Sequence, residues 1–324
     1  MTVVAFFGLK GGQGKTTLAH HLTWMFSDLD VRVVAADLDP QGDLTQRFLG
    51  LERTAELREE ETVYGNLKGL LGGDAAAAEP RLVAPGDRVG LLAGGIALWS
   101  LASVFEEAWT RALAGDIEAC VALTAVRRLL KAAGERHGAP LVVVDLAPGL
   151  GPLNRAVLAA ADHLVIPIVP DALSLKALRF TGESLDLWST QWQARRKWVP
   201  GAEQSLHEGA RPLGYVVHMF PTYAGRPVNA SQHVMRELPA EYGRWIARSP
   251  DLGPRPPEQD DNCLGVISPM SVLVPTAADA NKPVFHLTPA DGAIGSTMKA
   301  VQRFRSEFES VARNIAGRID LPLA

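Results

Sequence analysis

Two kinds of segment alternate along the chain. Short runs of β-branched and apolar residues, bounded by polar or glycine-containing turns, are typical of buried strands. Longer segments between them repeat apolar residues every three or four positions, which predicts helices. The predicted strands are Val3–Phe7, Val31–Ala36, Val89–Leu92, Leu141–Val144, Leu164–Val169, Leu213–Val217 and Leu264–Ile267. The predicted helices are Thr16–Asp28, Leu98–Leu113, Ile117–His137, Leu173–Trp192 and Ala293–Ile315.

This alternation predicts the fold class. Near-continuous apolar strands joined by helices indicate an α/β fold with a doubly wound, mostly parallel sheet and helices on both faces. Such sheets bind their ligands in the crevice beyond the carboxyl ends of the strands. We expect one domain over residues 1–324, with elaborations near 51–88, 195–211 and 223–262, none of which resembles an independent domain.

Composition narrows the class of protein. The 324 residues are 47% hydrophobic and 21% charged, as in soluble globular proteins. The net charge of −4 argues against a strongly basic nucleic-acid binder but allows a local basic patch. Cys120 and Cys263 lack metal-ligand spacing, so we expect reduced thiols. No basic leader precedes the first apolar run, and the uncharged stretch Val89–Phe105 is too short to span a bilayer, so we expect a cytoplasmic protein.

The segment GLKGGQGKTT, residues 8–17, lies between the first predicted strand and the first predicted helix. Backbone N–H groups of such a turn, together with the helix N-terminus, attract phosphates. Lys15 is expected to reach the β- and γ-phosphates, and the Thr16 hydroxyl to bind Mg²⁺. Glycines that let the backbone approach the phosphates are Gly11, Gly12 and Gly14. The common Gly-x4-Gly-Lys-Thr spacing, however, needs a glycine where the chain has Leu9, and a second lysine, Lys10, stands inside the loop.

Aspartates follow two other strands. Asp145 ends the run LVVVD, and Asp37 and Asp39 bracket Leu38 at the end of VRVVAADLD. Because the carboxyl ends of parallel strands meet at one edge, these carboxylates should lie near the phosphate loop. Asp145 fits the Walker B aspartate that supports Mg²⁺. Of Asp37 and Asp39 only one is expected to point into the site, and we favour Asp39.

The motifs KGGQGKTT, DLDPQGD and VVVDLAPGLG resemble, in order and spacing, the deviant Walker A, A′ and B motifs of the ParA/MinD ATPases. Three later segments resemble the same family. They are LNRAVLAAADHLVIPIVPDALSLKAL, GYVVHMF and ANKPVFHLTPADGAIG. The resemblance therefore covers most of the chain.

The resemblance implies a site for ATP and Mg²⁺. It makes Lys10 the signature lysine, which contacts phosphates bound to the opposite subunit of an ATP-sandwich homodimer, and it assigns Asp39 to positioning the attacking water. The implied catalytic residues are Lys10, Lys15, Asp39 and Asp145. The implied Mg²⁺ residues are Thr16, Asp39 and Asp145. The implied nucleotide contacts are Lys10, Gly11, Gly12, Gln13, Gly14, Lys15, Thr16, Thr17, Met219, Pro221 and Pro269.

The implied activity is slow ATP hydrolysis, stimulated by a ParB-like or other activating protein, that partitions or positions DNA or another cargo. Two departures leave the switch behaviour and the hydrolysis rate open. Gln13 replaces a small apolar residue, and Leu146-Ala147 replaces a Thr-Pro-like pair. An ATP-dependent small-molecule ligase or synthetase, or a protein-tethered ATP switch, are the alternatives on the same fold.

The surface on which the ATPase would move is a separate question. Non-specific DNA binding, and hence partial association with the nucleoid, would need a basic patch. The candidate is Arg195-Arg196-Lys197, which could equally be a helix end that is simply exposed to water. Cations that could join this patch in space are Arg179, Arg303 and Arg305. A membrane anchor is disfavoured, because core packing is the better interpretation of the C-terminal apolar stripe. That stripe comprises Met298, Val301, Phe304, Phe308, Val311 and Ile315.

Overall fold

Strands from most of the chain length assemble into one sheet in the computed structural model, which describes residues 1–72, 79–199, 208–223, 226–250, 253–270 and 273–323. Parts of the three expected elaborations, namely residues 73–78, 200–207, 224–225 and 251–252, lie outside the described residues. The strands are β1 (Thr2–Phe6), β2 (Val33–Leu38), β3 (Val83–Gly86), β4 (Val89–Leu92), β5 (Leu141–Leu146), β6 (His163–Ile168), β7 (Arg211–Val217), β8 (Thr222–Tyr223), β9 (Arg226–Pro227) and β10 (Cys263–Val266).

The sheet order is β10-β7-β6-β1-β5-β2-β4-β3 among the described residues, with β8 and β9 forming a separate antiparallel ribbon. Every neighbouring pair in the sheet is parallel except β3 with β4, at one edge. The central β1 lies between β5 and β6, so the loop that follows it opens in the middle of the carboxyl edge. The expected doubly wound, mostly parallel sheet is therefore confirmed.

Helices cover both faces of the sheet. They are α1 (Lys15–Asp28), α2 (Asp43–Ala55), α3 (Val63–Leu71), α4 (Leu101–Leu113), α5 (Ile117–His137), α6 (Pro152–Ala160), α7 (Ala172–Arg196), α8 (Asn229–Tyr242), α9 (Val274–Asp279) and α10 (Ser296–Arg318). Single turns of other helical type occur at Glu59–Glu61, Ile96–Ser100, Gly243–Ala247, Pro257–Gln259, Val284–His286 and Pro289–Asp291.

Side-chain alternation along the strands divides the core into two layers. From β1, Val3 and Ala5 enter the layer under α3 to α8, whereas Val4 and Phe6 enter the layer under α1, α2, α9 and α10. The C-terminal apolar stripe packs into the second layer, where Phe304 and Phe308 are fully buried. The expectation that this stripe forms core is confirmed. No helix among the described residues combines the length and the apolar character needed to cross a bilayer.

The basic patch expected from the sequence does not assemble. Arg195 is buried, where its guanidinium donates to the carbonyls of Trp109 (2.6 Å) and Gln191 (2.8 Å) and stacks 4.6 Å from the Trp109 ring. The helix that carries it, α7, packs on the sheet face opposite α10, which carries Arg303 and Arg305. The expectation that Arg303 and Arg305 could join this patch was therefore wrong, whereas Arg179 lies on α7 with Arg195.

A glycine on α7 marks a close helix contact. A Cβ at Gly182 would lie 2.0 Å from the Trp245 carbonyl oxygen, whereas one at Gly317 on α10 would meet nothing within 4 Å. We predict that Gly182→Ala lowers the free energy of unfolding by about 1–3 kcal/mol through overpacking. The control Gly317→Ala should raise it by up to about 1 kcal/mol, because alanine loses less backbone entropy on folding. Urea unfolding measures both, and a stabilised Gly182→Ala protein would contradict the packing described.

Candidate nucleotide site

The loop between β1 and α1 has the backbone of an anion cradle. Gly12 and Gly14 adopt left-handed φ angles of 72° and 70°, which favour glycine, and α1 begins directly after Gly14. Gly11 and Gly12 are exposed, and a Cβ at either would meet nothing within 4 Å. The space above these glycines is therefore open to a ligand. The N-terminus of α1 adds partial positive charge at the same place.

Lys15 is the first residue of α1 and is buried. Burial lowers the pKa of its ammonium, while the carboxylates of Asp145 and then Asp39 oppose that shift. The structure thus brings three of the predicted residues, Lys15, Asp39 and Asp145, into electrostatic contact across β1, β2 and β5. A buried cation beside the glycine cradle is suited to the charge of bound phosphates.

Asp145 is fully buried near the end of β5, in register with Phe6 of β1 and Asp37 of β2. Neither of its carboxylate oxygens has a hydrogen-bond partner among the described residues. Burial raises the pKa of Asp145 well above its usual range, and the Asp37 carboxylate raises it further, whereas Thr16 and Lys15 lower it. An unsatisfied buried carboxylate beside a threonine hydroxyl fits a Mg²⁺ ion, whose ligands are hard oxygens. Thr16 and Asp145 would hold it.

The two aspartates at the end of β2 have different partners. Asp37 is fully buried and accepts hydrogen bonds from the Thr45 backbone N–H (2.8 Å) and hydroxyl (2.7 Å) in the first turn of α2. Burial raises the pKa of Asp37 to about 7. Asp39 accepts from the Gln41 N–H (2.9 Å), and its charge acts on Lys15. Asp37 therefore fixes α2, and Asp39 is the one that faces the phosphate loop.

Lys10 does not project freely into solvent. Its ammonium lies 2.5 Å from Asp171, which follows β6 and caps α7 by accepting from the Ser174 N–H (2.8 Å). Partial burial raises the pKa of Asp171, but the hydrogen bonds from Lys10 and Ser174 outweigh that effect and lower it overall. Sequence reasoning missed Asp171, although, like Asp39, it is a carboxylate within a few residues of the end of an apolar strand.

The predicted base contacts lie at the carboxyl ends of β7 and β10. Met219 has a left-handed φ of 56°, and its sulfur lies 3.0 Å from where a Cβ at Gly14 would stand. Pro221 is exposed and Pro269 is half-buried. Thr17, in the first turn of α1, accepts a hydrogen bond from His21 through its carbonyl. Met219 is thus brought against the phosphate loop, whereas a contact with the base remains a proposal for all three edge residues.

Comparison with known proteins identifies the family. Residues 1–191 match AAA_31, an AAA domain. The chromosome-partitioning ATPase Soj of Thermus thermophilus is 31% identical over 245 residues, which cover 75% of this chain and 78% of Soj. The chain belongs to the ParA/MinD-like P-loop ATPases. The resemblance carried by the three Walker motifs is confirmed.

Solved structures show that this P-loop ATPase shares its fold with known proteins. Protein DIP2308 from Corynebacterium diphtheriae superposes with a TM-score of 0.72 at 23% identity, covering 98% of this chain and 99% of that protein. The ATP complex of a Cyanothece McdA variant superposes with a TM-score of 0.61 at 14% identity, covering 99% and 97%. Both likenesses concern the fold.

A buried histidine supports the phosphate loop of this ATPase. His218, at the end of β7, is fully buried and donates from Nε2 to the Gln13 carbonyl (2.6 Å). The Gln13 side chain is buried too, and its Oε1 accepts from the Lys10 N–H (3.2 Å). Burial lowers the pKa of His218 to about 4, so the ring is neutral and its Nε2 proton remains available. No pattern in the sequence indicates this contact.

A second unpredicted support holds the loop after β5. Asn154, buried on α6, donates to the carbonyls of Ala147 and Gly149, both at 2.8 Å. The Gly149 N–H in turn lies 3.4 Å from the Gly8 carbonyl. The Walker B loop is therefore connected to the phosphate loop through the backbone, and its position depends on one amide side chain.

We predict that His218→Phe weakens Mg·ATP binding about tenfold, because it keeps a ring beside Gly14 but removes the hydrogen bond to Gln13. Isothermal titration calorimetry measures the affinity, and circular dichroism checks that the variant is folded. His233→Phe, on the exposed side of α8, is the matched control and should bind like the wild type. Equal affinities for both variants would contradict a supporting role for His218.

Proposed function

We propose that this chain binds Mg·ATP at residues 8–17, forms an ATP-sandwich homodimer and hydrolyses ATP slowly. The hydrolytic cycle would partition or position DNA or another cargo. The family supports the activity, and a relative such as Soj is named as a chromosome-partitioning ATPase. The observation that carries the dimer is the apolar surface around the phosphate loop.

Large apolar side chains are exposed at the carboxyl edge on both sides of the loop. Trp99 follows β4 and is 66% exposed, Leu150 follows β5, and Leu173 follows β6 and is 57% exposed. In the sheet order, β6 flanks β1 on one side and β5, β2 and β4 lie on the other. Exposed apolar groups that share one edge mark an interaction surface. A second copy facing this edge would cover them and enclose the nucleotide.

The charge of Lys10 supports the same arrangement. In one subunit its ammonium pairs with Asp171, and both side chains remain about one-third exposed. A triphosphate presented by a second subunit would compete with Asp171 for this lysine, since phosphates bind ammonium groups through charge-assisted hydrogen bonds. ATP would then join the two subunits, and loss of the γ-phosphate would loosen them.

The proposed hydrolysis follows from the remaining residues. Asp39 would orient the attacking water, with Lys15 and Mg²⁺ neutralising charge on the phosphates. The loop at Ala147–Gly149, held by Asn154, would respond to the γ-phosphate because it touches the phosphate loop at Gly8. We propose that a ParB-like or other activating protein accelerates this step at the dimer surface, in the cytoplasm or on the nucleoid.

The dimer is tested with Asp39→Ala, which should retain ATP because it lacks the carboxylate that orients water. Gel filtration with light scattering should find an Mg·ATP dimer for this variant and a monomer for Lys15→Ala, which lacks the main phosphate contact. Lys10→Ala should bind ATP but lose dimer-linked hydrolysis. An Asp39→Ala protein that is loaded with ATP and monomeric would overturn the sandwich.

The same Asp39→Ala dimer tests the cargo surface. We expect it to bind random-sequence duplex DNA with an affinity that falls steeply with salt, as counterion release requires. A dimer doubles whatever cationic surface each subunit presents. Absence of binding at low salt would remove DNA from the proposal and favour a protein-tethered switch or a synthetase.

Asp171→Asn tests the exchange of Lys10. Asparagine also caps helices, so α7 should persist while the ion pair is lost. Because partly exposed ion pairs contribute about 0.2–1 kcal/mol, the Mg·ATP dimer should tighten about 1.5- to fivefold in an Asp39→Ala background. The control is Asp186→Asn, which also lies on α7 and breaks a surface ion pair with Arg248. Analytical ultracentrifugation gives the dissociation constants, and an unchanged or weaker Asp171→Asn dimer would contradict the exchange.

A further inference from the structure

A cavity of about 420 Å³ lies between α1, α2 and α9, and none of the predicted nucleotide contacts lines it. Its volume is in the range of small-molecule sites. We propose that it is a second ligand site, which binds a small organic anion through carboxylate or phosphate oxygens. Its lining includes two hydrogen-bond donors that find no acceptor in the described part of the chain.

The first donor is His20 on α1. This residue is 2% exposed, and its Nε2 accepts a hydrogen bond from the Trp24 indole at 3.2 Å. A neutral imidazole that accepts at Nε2 carries its proton on Nδ1. Nδ1 is buried, and no described residue accepts from it. A buried donor without a partner costs free energy, and a ligand oxygen that reached Nδ1 after a side-chain shift would recover it.

The second donor is Arg47, one turn after the start of α2. It lines the cavity, and no hydrogen bond or ion pair joins it to another described residue. Its charge reaches His20, whose pKa is lowered well below the usual range by burial, then by His21 and Arg47. His20 therefore stays neutral and Arg47 positive. This pair of donors recognises an anion rather than a cation.

The other polar residues limit what fits. Lys282 lines the cavity but already holds both carboxylate oxygens of Asp291, at 2.8 and 3.0 Å. Asp43 and Asp279 also line it, so a highly charged anion would be repelled. A ligand with one anionic group and a polar remainder satisfies both sets of residues. Asn281, with a left-handed φ of 49°, offers its amide to that remainder.

The position of the cavity connects it to the nucleotide site. The helix that carries His20 begins at Lys15, and the helix that carries Arg47 begins four residues after Asp39. A ligand bound to both side chains would join these helices. Occupancy should therefore change the affinity of the ATPase for nucleotide, although the binding test below does not depend on the ATPase cycle.

The test uses the full chain saturated with Mg·ADP, so that the phosphate loop is filled. Inorganic phosphate and lactate, which has one carboxylate and one hydroxyl, are titrated separately, and the indole N–H signal of Trp24, assigned with Trp24→Phe, is followed by NMR. A saturable shift with a dissociation constant near or below about 10 mM is expected for at least one probe. The probe that binds decides between phosphate and carboxylate as the source of the oxygens.

Variants decide whether the binding is at this cavity. Arg47→Gln should weaken it at least about tenfold, as loss of a charged hydrogen bond predicts, while Arg53→Gln near the exposed end of α2 should have no effect. His20→Phe should also weaken binding, but Arg47→Gln is the decisive variant because it alters a side chain that is not fully buried. Failure of both probes to saturate by about 50 mM, or equal affinity in Arg47→Gln, would overturn the proposal.

Discussion

Two carboxylates buried side by side set the conditions for the rest of the nucleotide site. Asp37 of β2 and Asp145 of β5 are in register on adjacent strands, and neither is exposed. Burial raises the pKa of both, and the charge on Asp37 raises that of Asp145 further. An uncompensated buried charge costs several kcal/mol, so each needs a partner. Thr45 satisfies Asp37, while Asp145 depends on Lys15 and on the cation that Thr16 would help to hold. Binding of Mg·ATP would offset the electrostatic repulsion between the two carboxylates that the sheet register places side by side.

Hydrogen bonds to buried polar atoms also hold the phosphate loop in place. Gln13 places a buried side-chain amide in a glycine-rich turn. Because water is excluded there, the amide needs hydrogen-bond partners from the protein. The Lys10 N–H donates to the Gln13 side-chain oxygen, His218 donates to the Gln13 backbone carbonyl, and Gly8 and Gly14 leave the space for both contacts. A Cβ at Gly14 would lie 2.1 Å from His218, and one at Gly8 would lie 2.4 Å from the Gln13 side chain. The backbone at Gln13 is therefore supported by a residue 205 positions away, and its side chain by the backbone of the same loop.

The sequence predicted the parts of this site that depend on strand ends and glycines. The phosphate loop, Asp39 and Asp145 follow from local patterns, because a parallel sheet brings its carboxyl ends to one edge. The contacts of Asp171 and His218 depend on which strands become neighbours, and no local pattern states the order of a sheet. Asn154 contacts the loop before its own helix, but an asparagine in a helix carries no signal of that role. Arg195 illustrates the opposite error. A charge at a helix end suggests solvent, but Trp109 and two carbonyls give this guanidinium enough partners to be buried.

The two lysines of the loop meet different demands. Lys15 is buried beside the carboxylates of Asp145 and Asp39, so in the proposed dimer it would serve the nucleotide of its own subunit. Lys10 is paired with Asp171 at the surface, where an exchange of partners has a small cost. Asp171 also accepts the Ser174 N–H, so it remains satisfied when Lys10 leaves, and α7 keeps its cap. In the proposed dimer the lysine would move between a carboxylate of its own chain and a phosphate of another without unfolding any element, which is the property that a reversible ATP-dependent dimer requires.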